Sequence, residues 1–344
     1  MKAIAQRRGG ATADLLVGRV LCHDVRDAAG KVGVAKGALL DPTSARTLLG
    51  LLWDEVHLLA VDPGDLHEED AGRRLATAVT GSGVEIKGYT GGQWTLVATQ
   101  RGLLSIDVRR LADVNVHEGI AVFTLFDGQP VERGETVAKA KVTPLVIAGD
   151  VVREVEKAAG DGVVRVSSFR PTVVGAVARE SLEPRQRARF ESALKQKIDW
   201  FGSRLLDVRF AEPAARGVAD ELTTLRDAGA DVLIVAGASA LDPLDPVFGG
   251  LTLLGARMER HGAPAHPGSL LWLARWQELP VLGMPTCGMF SQATTFDLVL
   301  PRLLAGARVG NREIAALGHG GLLSREMAYR FPPYRADVAR GELE

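Results

Sequence analysis

The chain has 344 residues, 46% of them hydrophobic, which suits two domains with sizeable cores better than one. Its 41 basic and 42 acidic side chains nearly cancel, excluding a global field that would recruit nucleic acid or an anionic membrane. No apolar run is long enough to cross a bilayer, residues 1–8 lack the apolar stretch of a signal peptide, and Cys22 and Cys287 form no disulfide framework, so a cytoplasmic protein is expected.

In chain order, residues 15–25 alternate in part and predict a strand. Asp41 before Pro42 predicts an N-cap with proline at the first helical position, opening a helix over 43–52. A strand over 55–61 precedes a helix over 67–80, with Ala71, Leu75 and Ala78 on one face. Short strands near 84–89, 94–98 and 103–106 are each bounded by glycine. A helix over 106–116 follows, then strands over 120–125 and 136–147 around the turn Asp127-Gly128-Gln129-Pro130. A helix over 150–159 and the turn Gly160-Asp161-Gly162 close a strand-rich α+β N-terminal domain over 1–160.

The pattern then becomes strand and helix in alternation. Strands are expected over 163–168 and 172–178. A helix over 185–202 carries the stripe Phe190, Leu194, Ile198 and Phe201, and its basic residues Arg185, Arg187, Arg189, Lys195 and Lys197 are expected on its wet face. A strand over 205–210 and a helix over 213–228 lead to the apolar run 231–235, which reads as a central strand buried on both faces. A helix over 246–256, strands over 270–274 and 280–284, and a helix over 291–305 complete an α/β domain over 161–323. The fold class is therefore α/β, a three-layer α/β/α domain preceded by the α+β domain. The segment 324–344 is charged, contains Pro332-Pro333, and is expected to be a surface arm or partly disordered.

Two loops each follow an apolar strand and precede an apolar helix. The first runs from Ala236 through Gly237, Ala238, Ser239, Ala240, Leu241, Asp242, Pro243 and Leu244 to Asp245. Gly237 lets the backbone approach a ligand. Asp242 and Asp245 either hold a divalent cation beside a phosphate or serve as turn and N-cap residues for the helix after Pro246. The second loop is Gly283-Met284-Pro285-Thr286-Cys287-Gly288-Met289, with Ser291 as the expected N-cap of the next helix. It is either a nest of amides facing an anion or an ordinary strand-to-helix turn. Cys287 is either a low-pKa thiol at a helix start or a small residue filling space. A third segment carries Pro267, Gly268 and Ser269, whose hydroxyl can donate to an oxygen-rich ligand, beside His266. His319 has no evident partner.

These three segments, in this order and spacing, resemble the molybdenum-cofactor biosynthesis domain of molybdopterin adenylyltransferases and molybdopterin molybdotransferases. In that family a strand ends in a Thr-Gly-Gly-x-Ser type loop with a later aspartate. Here the loop keeps Gly237, Asp242 and Asp245 without the threonine, second glycine and serine in register. Pro267-Gly268 matches the family's Pro-Gly turn. Gly283-Met284-Pro285-Thr286-Cys287-Gly288 keeps the frame of a Gly-Leu-Pro-Gly-Asn-Pro type loop and loses its Asn-Pro end. The loop after the first domain strand, Thr-Gly in the family, is Arg179-Glu180-Ser181. The front of the chain resembles the leading segment of a less characterised group of molybdopterin-binding proteins.

The resemblance implies a molybdopterin or adenylylated-molybdopterin ligand held by Gly237, Ala238, Ser239, Pro267, Gly268, Ser269, Pro285, Thr286, Cys287, Gly288 and Ser291. It implies Mg²⁺ on Asp242 and Asp245 as catalytic groups, molybdate as a further substrate, and a homo-oligomer. The activity implied is adenylyl transfer or molybdate insertion. The alternatives are a non-catalytic carrier, chaperone or sensor for the cofactor, and a small-molecule nucleotidase or amidase.

Overall fold

The computed structural model describes residues 2–179, 182–238, 240–289 and 293–334. Helices and strands are mixed along the chain, an α/β fold. Two compact units are present. The first comprises Met1–Thr99, Ile106–Asp127 and Gly134–Val166; the second comprises Gln100–Ser105, Gly128–Arg133 and Ser167–Glu344. The strand Gly102–Ile106 pairs antiparallel with Pro130–Val131, which ties the two early segments of the second unit together.

In the first unit, strand Lys2–Arg7 runs antiparallel to Glu55–Ala60, whose other side carries Arg19–Leu21. Lys2–Arg7 escapes the apolar pattern because it is an edge strand, exposed along much of its length. The strand expected over 15–25 is corrected. Thr12 accepts a hydrogen bond from the Leu15 N–H and starts a short helix, Ala13–Leu16, before the strands Arg19–Leu21 and Val25–Arg26. Asp41 and Pro42 do open the helix Pro42–Gly50, with both halves of a capping box in place. A four-stranded antiparallel sheet is built from Val84–Thr90, Gln93–Ala98, Thr136–Val142 and Ile120–Thr124. Helix Glu68–Val79 is bound to helix Gly149–Ala159 by a bidentate pair, Arg74 to Glu156, at 2.7 and 2.6 Å.

In the second unit we number the elements β1 (Val173–Ala178), α1 (Pro184–Trp200), β2 (Arg204–Phe210), α2 (Ala215–Asp227), β3 (Val232–Ala236), α3 (Pro246–Leu253), β4 (Arg257–His261), β5 (Trp272–Trp276), β6 (Leu279–Met284) and α4 (Thr295–Leu304). The sheet order is β2-β1-β3-β6-β5-β4. β1, β2, β3 and β6 are parallel, while β5 and β4 continue the sheet antiparallel.

Side chains alternate across this sheet, because successive strand residues point to opposite faces. Val174, Val232, Ile234 and Leu282 join one core with Phe190, Leu194 and Ile198 of α1 and Phe296, Val299 and Leu300 of α4. Val177, Leu233, Val235 and Val281 join the other with Val218 and Leu222 of α2 and Val247 and Leu251 of α3. All five residues of β3 are buried, as its unbroken apolar run requires of a central parallel strand. β4, with the sequence RMERH, lies at the border of the sheet, where Glu259 pairs with Arg257 and with Arg275 of β5.

The C-terminal segment is a further correction. The surface arm expected after Ser324 is instead packed down as far as Tyr334. A 3-10 helix spans Arg325–Arg330, and Phe331 and Tyr334 are both buried against residues of this unit. No helix among the described residues is long and apolar enough to cross a membrane.

Candidate functional site at the carboxyl edge of the sheet

The strand connection leaves β1 toward β2 and returns past it to β3, so β1 and β3 are neighbours whose onward chains diverge. Such a switch point forms a crevice beyond the carboxyl ends of the strands. Registration brings the loops of interest together there. Ala178 is aligned with Ala236, and Ala236 with Met284, so Arg179, Gly237 and Pro285 emerge from three adjacent parallel strands. The Arg179 N–H donates to the Ala236 carbonyl at 3.0 Å.

In the first loop Gly237 has φ +81°, a left-handed conformation that glycine adopts without strain. Ala238 packs against the core shared by α2 and α3. Ser239 lies outside the described residues. The loop is pinned by the His261 Nε2–H, which donates to the Ala240 carbonyl at 2.6 Å. Asp242 is exposed, and its Oδ1 accepts from the Leu244 N–H at 2.9 Å. Asp245 is buried and caps α3: Oδ1 accepts from the Val247 N–H at 2.9 Å, and Oδ2 lies 3.0 Å from Arg179 Nη2. These contacts use the aspartates as turn and N-cap residues, and they do not fit a resident Mg²⁺ on the pair. A cation at Asp245 would be placed against a guanidinium already there. Among the described residues, no group of three or more His, Cys, Asp or Glu is arranged to hold a metal.

In the second loop, Thr286–Met289 forms a 3-10 turn after Pro285, closed by the Gly288 N–H donating to the Pro285 carbonyl at 2.8 Å. The backbone N–H groups of Cys287 and Gly288 favour the thiolate of Cys287. Burial of the thiol outweighs them and, with the nearby Asp297 carboxylate, pushes Cys287 above its ordinary value, against a thiolate nucleophile at neutral pH. Ser291 is outside the described residues, and the helix start expected there is corrected. α4 begins at Thr295 with Thr294 as N-cap, closed by Asp297 in a capping box. Asp297 Oδ2 accepts from the Thr294 N–H at 3.0 Å and its hydroxyl at 2.9 Å.

Pro267 and Gly268 meet this same helix start. The Pro267 carbonyl accepts from the Thr295 N–H at 2.9 Å and from its hydroxyl at 3.1 Å. The first amide of α4, that of Thr295, is thus already satisfied from within the chain, and in the second loop the Gly288 N–H is taken by Pro285. Ser269 is exposed beside the turn, and its carbonyl accepts from the Ala263 N–H at 2.9 Å.

Two charged groups at this edge, Arg179 and Lys197, lie outside the three loop segments. Arg179 was noted only as a departure from the family loop. Lys197 was placed on the wet face of its helix and is instead buried, its ammonium paired with Asp297 Oδ1 beneath the second loop. A signal for Lys197 was present: it stands three residues after Leu194 and four before Phe201, inside the apolar stripe. The Lys197 ammonium also lies 4.9 Å from the Tyr334 ring centroid, a cation–π distance. Burial, then the Asp297 carboxylate, raises the Tyr334 phenol well above its ordinary value of 10.0. Arg185, Arg187, Arg189 and Lys195 are exposed as expected.

An open cavity of about 990 Å³ lies at the opposite, amino edge, where Thr172 and Asp231 precede β1 and β3 and Arg257, Arg275 and Arg308 also line it. Two of its carboxylates are committed to the fold: Asp231 accepts from the Val173 N–H at 2.9 Å, and Glu259 pairs with Arg257 and Arg275.

No family model matches the chain, and no curated protein does. Among solved structures it is similar to the molybdopterin biosynthesis moea protein from Pyrococcus horikosii, at 15% identity over 70% of this chain and 79% of that one, with a TM-score of 0.31. It is also similar to a Corynebacterium diphtheriae protein provisionally assigned to molybdenum cofactor biosynthesis, at 11% identity over 39% and 93% of the two chains, with a TM-score of 0.26. MogA matches at 15% identity over 39% and 92%, with a TM-score of 0.25. None of the three exceeds 15% identity or a TM-score of 0.31, so the functional reading rests on the chain's own loops.

Proposed function

We propose that the carboxyl edge of the second unit, a three-layer α/β/α domain, binds molybdopterin or its adenylylate in molybdenum-cofactor biosynthesis. One observation carries this reading: the segments that resemble the family's loops, distant in sequence, emerge side by side from β1, β3 and β6, at a switch point. Arg179, the backbone at Gly237 and the Cys287 amide then serve the anionic end of the ligand. Thr286 and Ser269 provide hydroxyls for the pterin or phosphate.

Equilibrium binding of purified chain to molybdopterin and to AMP tests the proposal. Gly237→Val places a branched side chain at a left-handed position and is expected to weaken binding while costing about 1–2 kcal/mol of stability. Full affinity in that variant, or no affinity in the parent chain, removes the assignment.

A carrier or sensor is favoured over a transferase by a specific observation. Asp245 is engaged in an ion pair with Arg179, and the Cys287 thiol is pushed above its ordinary value, which disfavours both as reacting groups. Incubation with adenylylated molybdopterin, Mg²⁺ and molybdate separates the two: AMP release identifies a transferase, and retention of intact ligand a carrier.

A further inference from the structure

We infer that Arg179 stands where a divalent cation would stand at a carboxylate pair, so that this edge recognises a phosphate or pyrophosphate group with a built-in cation and without a metal. The inference deepens the reading of this edge as an anion site by naming the residue that recognises the anion.

The Asp245 side chain is 0% exposed, and both its oxygens are engaged, Oδ1 by the Val247 N–H and Oδ2 by Arg179 Nη2 at 3.0 Å. A cation arriving at Oδ2 meets the guanidinium, and like charges so close repel strongly where water is excluded. Asp242 is exposed and holds the Leu244 N–H, which leaves one solvated carboxylate and no pair.

Arg179 itself is not used up. Its side chain is 27% exposed, so it is open to a ligand on one side. A guanidinium has five donors in a planar fork, and Asp245 engages one nitrogen. Arg179 Nε is buried and has no hydrogen-bond partner among the described residues. A buried donor without an acceptor is costly, so the side chain gains by turning that edge of its fork toward a phosphate oxygen. The position is also right: Arg179 leaves β1 beside Gly237, where the backbone of the neighbouring strand end admits a close approach. The buried carboxylate holds the fork in place before the ligand arrives, which reduces the ordering cost of binding.

Two titrations of the full chain test this. In the first, Mn²⁺ alone is added and the free ion is followed by electron paramagnetic resonance. The parent chain is expected to show no saturable site that Asp245→Asn removes. Arg179→Met is expected to bind Mn²⁺ roughly tenfold or more tightly, and Arg179→Met with Asp245→Asn to lose that gain. A parent site that depends on Asp245, or no gain in Arg179→Met, overturns the inference. Arg179→Gln, which removes the charge and keeps a donor for Asp245, is expected to show the same gain and decides the matter should Arg179→Met fail to fold, while Arg179→Lys is expected to keep Mn²⁺ out.

In the second titration, calorimetry follows inorganic pyrophosphate and AMP in the presence of EDTA. Binding is expected without added Mg²⁺, and Arg179→Lys, lacking the fork, is expected to weaken it by roughly tenfold. Binding that appears only with Mg²⁺ overturns the inference. If neither ligand binds under any condition, the reading of this edge as an anion site falls, while the Mn²⁺ titration still decides what Arg179 does to a cation.

Discussion

Lys197 and Asp297 are both withdrawn from water, and each is tolerable there because of the other. Asp297 also completes the cap of α4, so one carboxylate closes a helix and neutralises a buried ammonium. Lys197→Met leaves that carboxylate buried without its counter-charge and is expected to cost about 3–5 kcal/mol in urea unfolding. Adding Asp297→Asn is expected to recover much of the loss. A single variant as stable as the parent chain would remove the pair from the account of this fold. The residue scale is also where sequence reading was weakest. Asp245 was legible as either cap or metal ligand, and nothing in its spacing pointed to Arg179, which is 66 positions earlier in the chain and reaches it only through the strand register. Lys197 is charged yet sits inside the apolar stripe, so residue type and helix position point opposite ways.

Among the elements, caps and long apolar runs were readable, and exposed or charged strands were not. Asp41-Pro42 and Asp245-Pro246 open their helices as local chemistry demands, and β3 follows from its unbroken apolar run. β4 was missed because four of its five residues, Arg257, Glu259, Arg260 and His261, are polar or charged, and pairing with β5 alone makes it a strand. That hairpin-and-sheet packing gives a prediction. Gly283 of β6 faces Trp272 of β5, and an added Cβ would stand 2.1 Å from the indole. Gly283→Ala is expected to destabilise the chain by about 1–3 kcal/mol, read by guanidinium unfolding followed through tryptophan fluorescence. A second prediction concerns the Arg74–Glu156 link between two helices of the first unit. Its hydrogen bonds hold the Glu156 carboxyl below the ordinary 4.5. The folded chain therefore binds that proton less readily than the unfolded chain. The contribution is complete above pH 4.5 and is lost as pH falls through the lowered folded value. Thermal melts should show the parent chain above Glu156→Gln near neutral pH and the two converging in acid. A gap that persists unchanged in acid would assign the difference to packing.

At the scale of the molecule, the end of the described chain is a structural part of the second unit. Phe331 and Tyr334 fill separate cores. Removing residues 325–344 is expected to cost at least about 3 kcal/mol, the usual penalty for losing one large buried aromatic, and to raise binding of a hydrophobic dye. A truncated chain that melts with the parent would show these contacts to be dispensable. The alternation of strand and helix after residue 163 made the α/β character of this half legible, but the contribution of residues 100–105 and 128–133 to the second unit has no local signature. A long-range pairing leaves no period in the sequence. The two borders of the six-stranded sheet have one more consequence. Arg257 and Glu259 line one rim, and Arg204, Asp207 and Arg209 line the other. Unpaired strand rims invite foreign strands to add on, and ranks of charge repel or mismatch the newcomer. Concentrated solutions of this chain are therefore expected to resist fibrillar growth through that sheet.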